Sequence, residues 1–292
     1  MITMLVTDKW QDYELLDTGD GERLERWGEY ILRRPDPHVI WPATLKSARW
    51  NNVHAHYHRN AEGGGNWEFL RDVPDRWMIQ YQQMSFYVRL MGFKHTGLFP
   101  EQAVNWDWMI AKIRSKSQPV KVLNLFAYTG GASVAAALAG AEVCHIDAAK
   151  GMVSLAKENL ALSGLAERPV RFIVDDVLKF VLREQRRGRQ YDGIIMDPPS
   201  FGRGPNGEVW KIENELYQLV QACSQILQPQ PLFFLLNSYT NGLTPGAMGN
   251  ILSLLIANKF GGSVSFDEVG LKVSSSEITL PCGACARWEA TP

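Results

Sequence analysis

The chain has 292 residues, of which 46% are hydrophobic and 21% charged, and a net charge of −1. These values exclude a disordered or fibrous chain and describe a globular protein with room for one large domain or two of ordinary size. There is no apolar run of membrane-spanning length and no signal-peptide pattern, so a cytoplasmic protein is expected, and near-neutrality gives no electrostatic mark of a polyanionic partner.

Residues 1–85 carry Trp10, Trp27, Trp41, Trp50, Trp67 and Trp77 among prolines and short polar turns. Gly19-Asp20-Gly21 is a turn, Arg33-Arg34-Pro35-Asp36-Pro37 is extended because residues before proline leave the helical region, and Gly63-Gly64-Gly65 is a hinge or hairpin tip. A small β-rich N-terminal portion over 1–85 is expected, a candidate for substrate recognition, followed by a second domain over 86–292. Its aromatic rings can pack as core or stack on bases. His54, His56 and His58 alternate and would share one strand face. The favoured reading is a solvated polar face with no metal, because three residues of one flat strand match no standard ligand geometry. Cys282-Gly-Ala-Cys285 has no second pair or histidines at zinc spacing.

Met84–Leu90 reads as a strand, Gly92–Gly97 as a turn, and Phe99-Pro100 as the start of a helix carrying Trp106, Trp108, Met109, Ile110 and Ile113. From there strands and helices alternate. Strands are predicted at Val120–Phe126, Glu142–Ile146, Val170–Val174, Tyr191–Met196 and Leu232–Leu236. Helices are predicted at Ser133–Ala139, Lys150–Leu162, Val177–Arg187, Glu213–Leu227 and Pro245–Asn258, with a Gly/Pro loop over Ser200–Gly207. The tail holds two more strands, Ser263–Val269 and Ala284–Glu289. This rhythm predicts an α/β fold, a doubly wound, mostly parallel sheet of seven strands with an antiparallel edge hairpin.

The stretch Lys121–Asp147 organises the chain. An apolar strand, a turn freed by Gly130-Gly131, an alanine-rich helix and a second strand ending in Asp147 form a βαβ unit of the nucleotide-binding kind. Asn124 and Ala127 stand where G-x-G-x-x-G would need glycine, so an ordinary tight turn is the competing reading. Polar or acidic residues then recur at successive strand ends: Tyr128 and Thr129, Asp147, Asp175 and Asp176, Asp197, and Asn237. In an open parallel sheet those ends form the ligand crevice.

Asn124-Leu-Phe-Ala-Tyr-Thr-Gly-Gly131 and Asp197-Pro-Pro-Ser-Phe201 together resemble two motifs of the class I S-adenosylmethionine-dependent methyltransferases. The chain is most similar to the group containing the large-subunit ribosomal RNA methyltransferases, with N-L-F-[AC]-Y-T-G-G-type and D-P-P-x-F motifs. The similarity spans about residues 85–290, including Gly92-Phe-Lys-His-Thr-Gly-Leu-Phe-Pro-Glu-Gln102. It implies S-adenosyl-L-methionine as cofactor and RNA as substrate. It also implies a cofactor site of Asn124, Phe126, Ala127, Tyr128, Thr129, Gly130, Gly131, Asp147, Ala148, Asp175, Asp176 and Asp197. Within it, Asp147 would take the ribose hydroxyls, and Asp176, or its neighbour Asp175, the adenine amino group. Asp197, Pro198, Pro199 and Phe201 would line the place of methyl transfer. Ser200 separates Phe201 from the prolines, one place later than in D/N-P-P-aromatic sites.

Methylation at carbon 5 of a pyrimidine needs a cysteine nucleophile, and Ser200 and Asn237-Ser238-Tyr239 stand where such family members carry it. Transfer to nitrogen or oxygen is therefore expected. Arg203 and Lys211, after Asp197, are placed for phosphate, and Arg183, Arg186, Arg187 and Arg189 form a basic cluster at a helix end. Two alternatives stand beside this reading: a protein or small-molecule methyltransferase, and a catalytically silent cofactor-binding subunit.

Overall fold

The computed structural model describes residues 4–60 and 64–291, so Gly63 of the expected glycine hinge lies outside the described residues. The chain divides into two compact units, one made of Ile2–Val104 with Val269–Cys282, the other of Asn105–Glu268 with Gly283–Pro292.

In the first unit, strands β1 (Tyr13–Gly19), β2 (Glu22–Trp27) and β3 (Tyr30–Pro35) form an antiparallel meander. Asp20 and Gly21 join the first two with φ of 53° and 82°, the left-handed pair that an Asp-Gly hairpin turn requires. A short helix α1 (Ser47–Asn51) precedes β4 (Ala55–Arg59), which runs parallel to β3 and pairs with β5 (Gly65–Phe69). The sheet order is β1-β2-β3-β4-β5, and β6 (Trp77–Tyr81) with β7 (Met84–Val88) forms a separate hairpin.

Trp27, Trp50 and Trp77 are buried core residues of this unit, so these three rings serve packing rather than base stacking. Glu25 accepts from Tyr13 Oη (2.8 Å) and from Arg34 Nε and Nη2 (2.6 and 2.8 Å). Burial alone would raise its pKa, but the Arg23 and Arg34 guanidiniums outweigh that and hold it at about 2.

The second unit carries helix α2 (Ala103–Arg114), most of whose residues belong to it, and then the alternating pattern. Its elements are β8 (Lys121–Leu125), α3 (Gly131–Leu138), β9 (Glu142–Asp147), α4 (Lys150–Leu162), β10 (Val170–Val174), α5 (Val177–Arg186) and β11 (Gly193–Met196). After them come β12 (Phe201–Arg203), β13 (Val209–Lys211), α6 (Ile212–Ser224), β14 (Phe233–Ser238) and α7 (Pro245–Leu252). The last strands, β15 (Ser263–Lys272) and β16 (Thr279–Glu289), contribute to both units. The seven-stranded order is β10-β9-β8-β11-β14-β16-β15, parallel through β14 and antiparallel from β14 to β16.

The central strands have no polar face because helices cover both sides. Val122–Leu125, Gly193–Met196 and Phe233–Ser238 are buried throughout. Leu123, Ile146, Phe180, Ile194, Leu219 and Phe234 belong to one continuous core.

Three expectations are corrected. The Ser200–Gly207 loop is in fact the first half of the β12–β13 hairpin, whose three-residue strands are too short for a periodicity signal and are held by Trp210 packing inward. The first tail strand runs past Val269 to Lys272. The helix from Pro245 leaves α-geometry at Ser253–Ala257, where a π-helical segment intervenes before Asn258–Phe260.

Candidate active site

Strand register sets the geometry of the site. Leu125 pairs with Ile146 and with Met196, Val174 with Asp147, and Met196 with Leu236. The residues that follow, Phe126, Asp147 itself, Asp175, Asp197 and Asn237, therefore emerge along one rim at the carboxyl ends of β8, β9, β10, β11 and β14.

The turn after β8 departs from ordinary backbone. Phe126 and Tyr128 have φ of 54° and 50°, and Gly130 has φ of 86° at the start of α3. A non-glycine residue held left-handed costs on the order of 1–3 kcal/mol and persists only where its surroundings over-determine it. Here they do. Tyr128 N donates to Asp147 Oδ2 (2.8 Å), Ala127 N to Ile146 O (3.0 Å), and Asn159 Nδ2 of α4 to Thr129 O (2.9 Å). Gly131 is glycine for lack of space, since a Cβ there would lie 2.7 Å from Trp106 Cζ2 on α2. At Gly130 a Cβ would lie 2.8 Å from that of Ala156, in addition to the positive φ.

Behind the turn lies a buried chain of polar groups. Asn124 Nδ2 donates to Ser133 Oγ (3.0 Å), which bonds His145 Nδ1 (2.9 Å). Burial pushes the His145 pKa down to about 3, so the ring is neutral, and its Nε2 is buried with no partner among the described residues. Asn124 thus anchors the first turn of α3 from beneath. Ser133 and His145 were not singled out by sequence, although a polar pair inside two apolar elements is a readable signal.

The acids differ in their surroundings. Asp147 is bonded at both oxygens, to Tyr128 N and to Ala149 N (2.8 Å), with half-buried Ala148 between; burial nonetheless raises its pKa. Asp175 pairs with Arg183 and accepts from Asp176 N (2.9 Å). Asp176 is the N-cap of α5, its Oδ1 accepting from Lys179 N (2.9 Å). Of the expected basic cluster, Arg183 is held by Asp175 and Arg187 bonds Glu184.

Beyond β11, Asp197 is half-buried, Pro198 buried and Pro199 exposed. Trp210 of β13 donates Nε1 to Pro199 O (2.6 Å) and sets its ring 5.0 Å from that of Phe126, so one tryptophan links the turn after β8 to the turn after β11. Phe201 is 54% exposed and therefore available to a flat ligand. At the end of β14, Asn237 Oδ1 accepts from Asn105 Nδ2 (3.0 Å), and Asn105 Oδ1 from Arg287 Nε (2.9 Å), with the Arg287 guanidinium 5.0 Å over the Trp108 ring. Trp210, Asn105 and Arg287 were likewise missed, because their sequence surroundings carry no motif.

Comparison with known proteins shows the family to which the chain belongs. The sequence profile of the S-adenosylmethionine-dependent methyltransferases matches residues 32–230. A solved SAM-dependent methyltransferase from Agrobacterium tumefaciens is 36% identical, covering 99% of this chain and 94% of its own, with a TM-score of 0.94. SMU.776, solved in complex with SAH, shares the fold at 21% identity, covering 96% of this chain and 76% of that one, with a TM-score of 0.71. The ribosomal RNA large subunit methyltransferase K/L of Shewanella frigidimarina (strain NCIMB 400) is 35% identical over 146 residues, which are 49% of this chain and 20% of that protein. The chain thus spans about a fifth of the length of the curated relatives it matches. It belongs to the S-adenosylmethionine-dependent methyltransferases, enzymes whose cofactor is S-adenosyl-L-methionine.

Proposed function

We propose that the protein methylates RNA, of the ribosomal kind, at a nitrogen or oxygen acceptor. The observation that carries this is the Asp197-Pro198-Pro199 turn beside an exposed Phe201, on a hairpin whose Arg203 and Lys211 face solvent. The match to a ribosomal RNA methyltransferase supports the substrate class.

The donor set on the rim fits the cofactor. The free N–H groups of the first turn of α3 suit a carboxylate. Asp147 suits vicinal hydroxyls, and Asp176, with Asp175 committed to Arg183, suits the adenine amino group. Asn124, Phe126, Ala127, Tyr128, Thr129, Gly130, Gly131 and Ala148 shape the cradle between them. When bound, the cofactor supplies an electrophilic methyl group on a sulfonium. The chain then has to align the acceptor: Asp197 accepts the acceptor's N–H or O–H and turns its lone pair inward, Pro198 and Pro199 fix the approach, and Phe201 stacks on the base.

The cysteines support a nitrogen or oxygen acceptor. Burial pushes the Cys144 and Cys285 thiols up to about 11 and raises Cys223 and Cys282 as well, so none offers the thiolate that carbon-5 chemistry requires. Residues 1–85 would take part in substrate recognition. The test is transfer of labelled methyl from S-adenosylmethionine to total cellular RNA, followed by mass mapping of the modified nucleotide. Label in RNA at a ring or exocyclic nitrogen or at a hydroxyl is expected; label in protein or small molecules alone overturns the proposal. The near-zero net charge of −1 favours that second reading, and salt separates the two, since phosphate contacts weaken steeply with ionic strength.

A further inference from the structure

The first unit carries a cluster unrelated to the methyltransferase rim. Along β4, Ala55 and Tyr57 turn into the core, which directs His56 and His58 to the opposite face, their rings 3.9 Å apart. The antiparallel register sets Glu68 of β5 directly opposite His56 and Asn66 opposite His58, so Glu68 shares the histidine face. Its carboxylate reaches diagonally to His58 Nε2, at 2.7 Å. On the other side, Glu22 of β2 holds His56 Nε2 at 2.7 Å and is itself paired with Arg33. His54 takes no part, its Nδ1 accepting from Ile31 N (3.0 Å).

We propose that His56, His58 and Glu68 bind a divalent metal ion of the zinc type. One ligand atom from each lies within 4.8 Å of the others. Tetrahedral zinc with bonds near 2.0–2.2 Å sets its ligand atoms about 3.4 Å apart, a closure that rotation of half-exposed His58 and Glu68 side chains supplies without moving backbone. Two imidazoles and one carboxylate select zinc, nickel or copper over magnesium or calcium, and three protein ligands leave a position for water. Glu22 acts through the His56 ring, fixing its orientation as an outer carboxylate does in many metal sites. The histidines of β4 alone lie on one strand; the third ligand arrives from the neighbouring strand β5, ten residues after His58. A bound ion would cross-link β4 to β5.

The experiment is calorimetric titration of the chelator-treated full chain with zinc sulfate, alongside His58→Ala and Glu68→Gln, two surface changes expected to leave the fold intact by circular dichroism. The expected result is one equivalent bound by the wild type, affinity lower by about tenfold or more in both variants, and a zinc-dependent rise in melting temperature confined to the wild type. Absence of zinc uptake by the wild type, or uptake and thermal shift equal in wild type and variants, overturns the site. Neither result depends on methyl transfer.

Discussion

Tyr128 N and Asp147 Oδ2 lie 2.8 Å apart, so the acid ending the second strand of the βαβ unit holds the turn that ends the first. Tyr128 sits at a φ of 50°, and this bond helps retain it there. Asp147 therefore shapes the turn, and under the proposed function it would also offer a carboxylate to the ribose. Asp147→Ala should lose both, and charge-assisted hydrogen bonds are worth roughly 1.5–3 kcal/mol each, so S-adenosylmethionine should bind about 10-fold to 100-fold more weakly by calorimetry. Because burial raises the Asp147 pKa above 3.8, cofactor affinity should begin to fall on acidification at a pH above the ordinary aspartate value.

His145 makes the second unit acid-sensitive. Its folded pKa is lowered from 6.5 to about 3, so its stabilising contribution is present above 6.5 and is lost as pH falls from 6.5 towards 3. In that window the wild type should lose up to about 1.4 kcal/mol of unfolding free energy per pH unit more than His145→Gln does, measured by urea denaturation at several pH values. Parallel curves for the two proteins would exclude the assignment.

Gly131 and Trp106 test the close packing of the turn. Gly131→Ala should weaken cofactor binding and lower the melting temperature, because its Cβ would fall 2.7 Å from the indole. Adding Trp106→Phe makes room and should recover part of both losses; no recovery would place the cost elsewhere.

Trp210 bridges Pro199 and Phe126. Trp210→Ala should lower kcat for methyl transfer by about tenfold or more while changing cofactor affinity less, since it releases the turn proposed to hold the acceptor. Trp210→Phe keeps the ring contact and loses the 2.6 Å bond to Pro199 O, so it should fall between the two.

Much of this arrangement was legible in the sequence, for physical reasons. Strands such as Gly193–Met196 are buried on both faces and read as unbroken apolar runs, and each runs into a polar residue where the sheet ends. Asp176 illustrates the limit: cap and ligand use the same residue type, and only the structure shows Lys179 N on its Oδ1. Trp210 was illegible because its hairpin has three-residue strands; His145 and Ser133 each stand out as a polar residue in an apolar element, but their bond joins positions twelve apart and only the structure shows it. Glu68 was missed because a cross-strand neighbour leaves no spacing in one chain segment.

The most direct measurement is a crystal structure grown with S-adenosylhomocysteine. The nucleoside is expected along the rim, with the ribose hydroxyls about 3 Å from Asp147, the amino-acid carboxylate at the first turn of α3, and the sulfur facing Asp197. A nucleoside bound away from Asp147 and Gly131, or a rim closed by the protein's own side chains, would contradict that placement.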